Sequence, residues 1–239
     1  MNTEQDAYVP GMEHEGITVF MMGTVMVEYN RKPMPLMGNP QGKMLQLFLI
    51  LLYAGDKGVL REELLDMLYG NGENTNPSGS LRAAVFRLRK TLEGCGLPEH
   101  EYIRTDSGIY RWDGGGVPVY IDAKDFEITA HKALKQRDES LLKKACGLYQ
   151  GEFMAQLAGE KWVSIIGVRY QELYFDCLRM AYYIMKDNRE YTDLLELASD
   201  ACDLYPYEEC QIMKIDCLIA MKRFKDAMQV YDQAVTQYF

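Results

Sequence analysis

The sequence predicts an α+β domain followed by an all-α domain. β-branched and apolar residues bounded by turn residues open the chain, three helix-period segments and a hairpin follow, and from about residue 121 the pattern is helical to the end. The expected organisation is a flexible tail over 1–16, a first domain over 17–116 and a second over 117–239, with Gly114-Gly115-Gly116 at the join.

Each element has its own signal. ITVFMMGTVMVEY reads as strand interrupted by Gly23, with a turn at Asn30-Arg31-Lys32-Pro33. Gln41 to Ala54 is strongly apolar and closed by Gly55, as a buried helix would be. GVLREELLDMLYG follows, with Leu60, Leu64, Leu65 and Leu68 in helical register and Gly70 at its end. After a polar loop, Asn76 is placed to cap a third helix whose first position is Pro77. YIRTDSGIYRWD then alternates about Asp106-Ser107-Gly108, a hairpin signal. Strands, two helices, a basic helix and a hairpin, in that order, are the layout of a winged helix-turn-helix.

The third helix, PSGSLRAAVFRLRKTL, is the most telling. It carries Arg82, Arg87, Arg89 and Lys90 and no acid, in a chain of net charge −9. Leu81, Val85, Leu88 and Leu92 form one apolar stripe. At about 100° per residue, Ala83, Phe86, Arg87 and Lys90 point away from it, with Arg82 and Arg89 together on a flank. An apolar back anchors such a helix, and a basic front can meet phosphates and base edges.

Charge is unevenly spread. Residues 1–16 carry four acids and no base, 17–113 carry 11 of each, and 114–239 carry 15 bases against 20 acids. The first domain is therefore neutral overall, which predicts modest, salt-sensitive DNA affinity resting mainly on one helix. No apolar run is long enough for a membrane span, and the acidic N-terminus lacks the core of a signal peptide. Six cysteines without a CxxC pair, mostly in apolar helical patterns, imply reduced thiols and a cytoplasmic address.

Beyond Ile121, helices are expected over about 122–135, 138–150, 160–186, 189–204, 207–222 and 224–237. Tyr191, Leu194, Ala198 and Ala201 recur as Phe224, Ala227, Tyr231 and Ala234, each displaced by 33 residues. With small residues at helix crossings and Pro206 after a helix, this spacing fits tetratricopeptide-like helix pairs. The full expectation is an α+β winged helix-turn-helix domain followed by an all-α tetratricopeptide-like helical repeat domain.

Several groupings imitate chemistry. Gly38 to Met44, GNPQGKM, is similar to a phosphate-binding loop, but it is one residue short and Met44 replaces the magnesium-binding hydroxyl. His14, His100 and His131 are dispersed, and no His/Cys cluster has metal spacing. Cys210 and Cys217 share a helix face and read as core, without a basic neighbour to activate a thiol. Glu62-Glu63 reads as solvated charge. No catalytic, cofactor or metal site is expected, and an enzyme is the least supported class.

Taken together, these residues resemble the Streptomyces antibiotic regulatory protein family, regulators that join an OmpR-type winged helix to a bacterial transcriptional activation domain. The N-terminal likeness lies in REELLDMLYG, LRAAVFRLRKTL with Leu88-Arg89, and GIYRW with Gly108 and Tyr110. The C-terminal likeness lies in YQGEFMAQL, Trp162 with Arg169, Pro206 with Glu209, and Ala227 with Tyr231.

The resemblance implies a sequence-specific transcriptional activator that binds promoter repeats in double-stranded DNA and contacts RNA polymerase. By position it implies Arg82, Phe86, Arg87 and Lys90 in the major groove, with Arg87 the leading base reader. Arg89 is structural or meets phosphate, Phe86 meets a thymine methyl or packs on the second domain, and Arg104 with Thr105 sit on the wing. Two departures stand out: Asp106 at the wing tip repels phosphate, and Gly79 and Ala83 replace polar residues at the helix front. A homodimer on half-sites about one helical turn apart suits the fold. Two other readings stay open: an interaction adaptor with a groove lined by Tyr170, Tyr174, Tyr182 and Tyr183, unless those are core, and a regulator sensing a small molecule between its helices.

Overall fold

The computed structural model describes residues 15–39, 41–70, 72 and 74–238. The expected N-terminal tail lies outside them as far as residue 14, as does Pro40 of the GNPQGKM segment. The chain forms two compact units, each discontinuous in sequence. The first comprises residues 1–125 and 152–168, the second residues 126–151 and 169–239. This differs from a single cut at 116.

In the first unit, β1 (Ile17–Phe20) pairs antiparallel with β2 (Met26–Tyr29), which pairs with β3 (Lys32–Pro33) across a two-residue turn at Asn30-Arg31. Both turn residues have positive φ, as a tight hairpin requires. Lys32-Pro33, expected in the turn, belongs to the strand instead.

Helix α1 (Lys43–Ala54) is buried from Leu45 to Leu52 without a break, because the protein surrounds it on every side. Its buried Gln46 is satisfied by Gln41 O at 3.2 Å and Glu160 Oε1 at 2.8 Å. Lys43 reaches the same Glu160 oxygen at 2.7 Å, so the lysine of the loop-like GNPQGKM segment is engaged in an ion pair.

Val59–Leu60 form a strand, β4, rather than the start of the second helix. Leu60 is exposed, and its expected place in the apolar register is corrected by pairing with Ile109. Helix α2 (Arg61–Tyr69) follows, its first turn closed by Glu63 Oε2 accepting from the Leu60 N–H at 3.2 Å. Helix α3 (Pro77–Glu93) precedes the hairpin β5 (Ile103–Asp106) and β6 (Ile109–Trp112). β6 lies between β4 and β5 in a three-stranded sheet. These elements are the winged helix-turn-helix: α1, α2 and α3 with the β5–β6 hairpin as wing.

After the glycine triplet, β7 (Val119–Ile121) pairs parallel with β1 and completes a four-stranded sheet of order β3-β2-β1-β7. Asp122 then begins helix α4 (Asp122–Gln136). Its buried carboxylate accepts the N–H groups of Met21 at 2.7 Å, Met22 at 3.0 Å and Ala123 at 2.7 Å. Residues 152–168 also belong here: Phe153 bridges to Met22, and Gln156 Oε1 accepts the Val25 N–H at 2.6 Å.

The second unit is all helix. It contains most of α4, then α5 (Glu139–Leu148), the body of α6 (Lys161–Asn188), α7 (Tyr191–Leu204), α8 (Glu208–Ala220) and α9 (Phe224–Tyr238). Its core is aromatic. Tyr149 stacks on Tyr174 with ring centroids 4.5 Å apart, Phe126, Phe175 and Tyr205 pack around them, and the Tyr149 and Tyr205 hydroxyls are 2.7 Å apart. Tyr170, Tyr174 and Tyr182 are thus core residues, and Tyr183 alone of the proposed groove lining is exposed. Cys146, Cys177, Cys202, Cys210 and Cys217 are buried free thiols. Burial pushes Cys210 up to about 12 and Cys217 up to about 11, the condition of inert core thiols. Among the described residues no helix is long and apolar enough to cross a membrane.

Candidate nucleic-acid interface

The first turn of α3 is built by its cap. Asn76 Oδ1 accepts the Gly79 N–H at 3.0 Å, and Pro77 supplies a helical φ at the first position. A side-chain carbon at 79 would lie 2.5 Å from Asn76 Nδ2. The glycine at the front of the helix is therefore a requirement of the cap. Asn74 steadies the approach, accepting the Asn76 N–H at 2.9 Å and donating to Ser80 Oγ at 2.9 Å.

The back of α3 is the predicted stripe. Leu81, Val85, Leu88 and Leu92 are buried, joined by Ala84. The front is equally distinct. Arg82, Ala83, Phe86, Arg87 and Lys90 are exposed, and Phe86 presents 67% of its surface. Among the described residues, none of Arg82, Arg87 and Lys90 has a carboxylate partner. The two arginines bond only back along their own helix, Arg82 Nε to Ser78 O at 3.4 Å and Arg87 Nε to Ala83 O at 3.3 Å.

Arg89 behaves differently. Its Nη2 donates to Ile103 O at 2.6 Å and lies 3.2 Å from Glu101 Oε1. It fastens the helix to β5.

The wing turns at Ser107-Gly108, both with positive φ, as a two-residue turn between Asp106 and Ile109 demands. Thr105 and Asp106 are exposed. Arg104 is exposed too, but its Nε sits 2.8 Å from Asp113 Oδ2. The Gly115 N–H, then His100 and Arg104, hold the Asp113 carboxyl below the ordinary carboxylate range. The charge of Arg104 is thereby largely offset, which sequence reading missed. Asp113 lies nine residues from Arg104 in sequence and meets it only through the β5–β6 pairing.

The structure thus brings Arg82, Phe86, Arg87 and Lys90 onto one exposed face and ties Arg89 and Arg104 into contacts within the fold. Among the described residues, no group of three or more His, Cys, Asp or Glu side chains could hold a metal ion. The α3 front can attract anions and present one large apolar group beside them.

Residues 121–238 match the family model of the bacterial transcriptional activator domain. The chain carries a bacterial transcriptional activator domain. No curated protein matches the chain. The structure is similar to EmbR of Mycobacterium tuberculosis, solved in complex with a low-affinity phosphopeptide, at 17% identity and a TM-score of 0.67. That likeness of fold takes in 94% of this chain and 60% of the EmbR chain. The activator-domain match lies in the helical part of the chain, and the likeness of fold to EmbR extends over the winged helix-turn-helix as well.

Proposed function

We propose that the chain is a DNA-binding transcriptional activator that inserts the front of α3 into the major groove and contacts RNA polymerase through its activator domain. The observation that carries this reading is the α3 front, where three cations without carboxylate partners among the described residues surround an exposed phenylalanine on a helix with a buried back. Arg87 reads a base edge, Arg82 and Lys90 meet phosphate or base edges, and Phe86 meets a thymine methyl. Thr105 and Arg104 approach the backbone beside the wing, Arg104 weakly while Asp113 holds it. Arg89 acts through the fold. No catalytic step or cofactor belongs to this reading. Its setting is the cytoplasm, where free thiols persist.

The activator domain match supports this reading over the adaptor, whose tyrosines are mostly core. The test is fluorescence anisotropy with DNA from upstream of the protein's own gene against scrambled DNA, at two salt concentrations. Preferential binding that weakens steeply with salt is expected. Equal or absent binding to both DNAs overturns the reading.

A further inference from the structure

Beside the wing, Asp113 has a second basic neighbour besides Arg104. His100 precedes β5, and its Nε2 lies 3.0 Å from Asp113 Oδ1. The same oxygen accepts the Gly115 N–H at 3.0 Å, while Asp113 Oδ2 lies 2.8 Å from Arg104 Nε. One carboxylate therefore stands between an imidazole and a guanidinium, with one oxygen turned to each.

The imidazole is seated by the fold. Its ring packs edge-to-face with Tyr102 at 5.3 Å between centroids, and Tyr102 stacks on Trp112 at 5.1 Å. Tyr102 is itself tied down: its hydroxyl donates to Pro98 O at 2.7 Å, its N–H donates to His100 O at 3.1 Å, and its carbonyl accepts the Asp113 N–H at 2.8 Å. Gly115 also borders the ring, and a side-chain carbon there would lie 2.6 Å from it. Glycine at this place makes room for the imidazole and turns its own N–H onto Asp113.

What the contact is worth depends on the proton. His100 Nε2 is buried and close to the carboxylate oxygen, yet off the line of a hydrogen bond. A neutral ring gains little from such a contact. A charged ring gains from it at any angle, because Coulomb attraction needs proximity rather than alignment. The groups around the ring are Asp113, with Arg104 beyond it, and Tyr102, whose hydroxyl burial pushes further up. Glu99 and Glu101 flank His100 in sequence, and Glu101 is drawn to Arg89 at 3.2 Å. With a neutral ring, Asp113 and Arg104 cancel. With a charged ring, two cations share one carboxylate and a positive charge is left over.

We propose, on the DNA-binding reading above, that His100 is a positioning residue for the wing: once protonated, it draws Asp113 away from Arg104 and frees that guanidinium for a DNA phosphate. Binding then strengthens as pH falls through the range in which histidines titrate, by roughly three- to ten-fold, with about one more phosphate in its salt dependence.

The test is anisotropy with the same upstream and scrambled DNA at about pH 5.5 and about pH 8, either side of the ordinary histidine range, each at several salt concentrations. The unaltered chain is expected to bind more tightly at the lower pH, with a slope of log affinity against log salt steeper by about one. His100→Gln, neutral at both values, should lose that gain. The other histidines and Asp122 are the same in both proteins, so the difference between them belongs to His100. Asp113→Asn, which releases Arg104 throughout, should bind at the higher pH as the unaltered chain does at the lower, and change little between them. Far-UV circular dichroism at both pH values checks that each variant is folded. Without DNA, the nuclear magnetic resonance signal of the Arg104 Nε–H should move as His100 takes up its proton, and stay in place in His100→Gln. A gain that His100→Gln keeps, preferential DNA binding that ignores pH, or an Arg104 signal that does not follow His100 overturns the proposal. No preference for the upstream DNA at either pH overturns the DNA-binding reading instead, and the Arg104 signal still decides whether His100 governs that arginine.

Discussion

The cations of α3 and those of the wing share a residue type and differ in their surroundings. On α3 no acid stands between Pro77 and Leu92, and Arg82, Arg87 and Lys90 keep their charges outward. On and beside the wing, Glu101, Asp106 and Asp113 are interleaved with Arg104, and folding brings Asp113 onto it at 2.8 Å. Arg89 lies on the basic helix but faces Glu101 and the β5 backbone. The number of bases in a segment therefore overstates what a polyanion meets. What counts is whether the fold has already supplied an anion.

That contrast can be broken or sharpened, beginning with the helix itself. Leu88→Ala empties part of the fully buried α3 stripe and is expected to cost about 2–5 kcal/mol in chemical denaturation, the usual range for a core Leu→Ala change. Neutralising the front should leave stability nearly unchanged. Arg87→Ala with Lys90→Ala is expected to weaken promoter binding roughly 10–100-fold and to reduce the slope of log affinity against log salt by about two. An unchanged slope would show that these cations do not meet phosphate.

The next effect concerns pH. Burial pushes the Asp122 carboxyl up to about 6, from 3.8, although three N–H groups favour its charged form. Between those values the folded chain retains a proton that the unfolded chain has released. This group's contribution is therefore greatest below pH 3.8, falls as pH rises to about 6 and is level above. Asp122→Asn removes that slope and leaves the Met22 N–H facing an amide donor, for an expected loss of about 1–3 kcal/mol at neutral pH. Thermal denaturation of both proteins across the window reads both effects.

The smallest effect should come from the wing. Arg104→Ala is expected to change DNA affinity by less than about three-fold, within the range of an exposed, already paired charge. Asp113→Asn, which releases that arginine, should strengthen binding and steepen its salt dependence. Titration of each variant against the same DNA measures this directly.

Local signals carried well from sequence to structure. Asn76-Pro77 marked the start of α3, Asp106-Ser107-Gly108 marked the wing turn, and the leucine stripe marked the buried side. What stayed illegible depends on partners far away in the chain. Leu60 fits a helical register, and only pairing with Ile109 makes it strand. β7 is three residues long after a glycine triplet, too short to announce itself. Residues 152–168 carry no local mark of belonging with the winged helix, because their contacts are to Met22, Val25, Lys43 and Gln46, more than a hundred residues earlier. Within the site, the front of α3 could be read from helical phase alone, whereas the pairing of Arg104 required the sheet.

That returning segment bears on how the winged helix can be handled. It is not a detachable cartridge. A fragment ended at the glycine triplet would lose the strand beside β1, the carboxylate that receives the Met21 and Met22 N–H groups, and the glutamate that satisfies Gln46 inside α1. Poor DNA binding by such a fragment would report a frayed sheet and an orphaned amide, and it would be mistaken for weak recognition by a helix that had lost its seat.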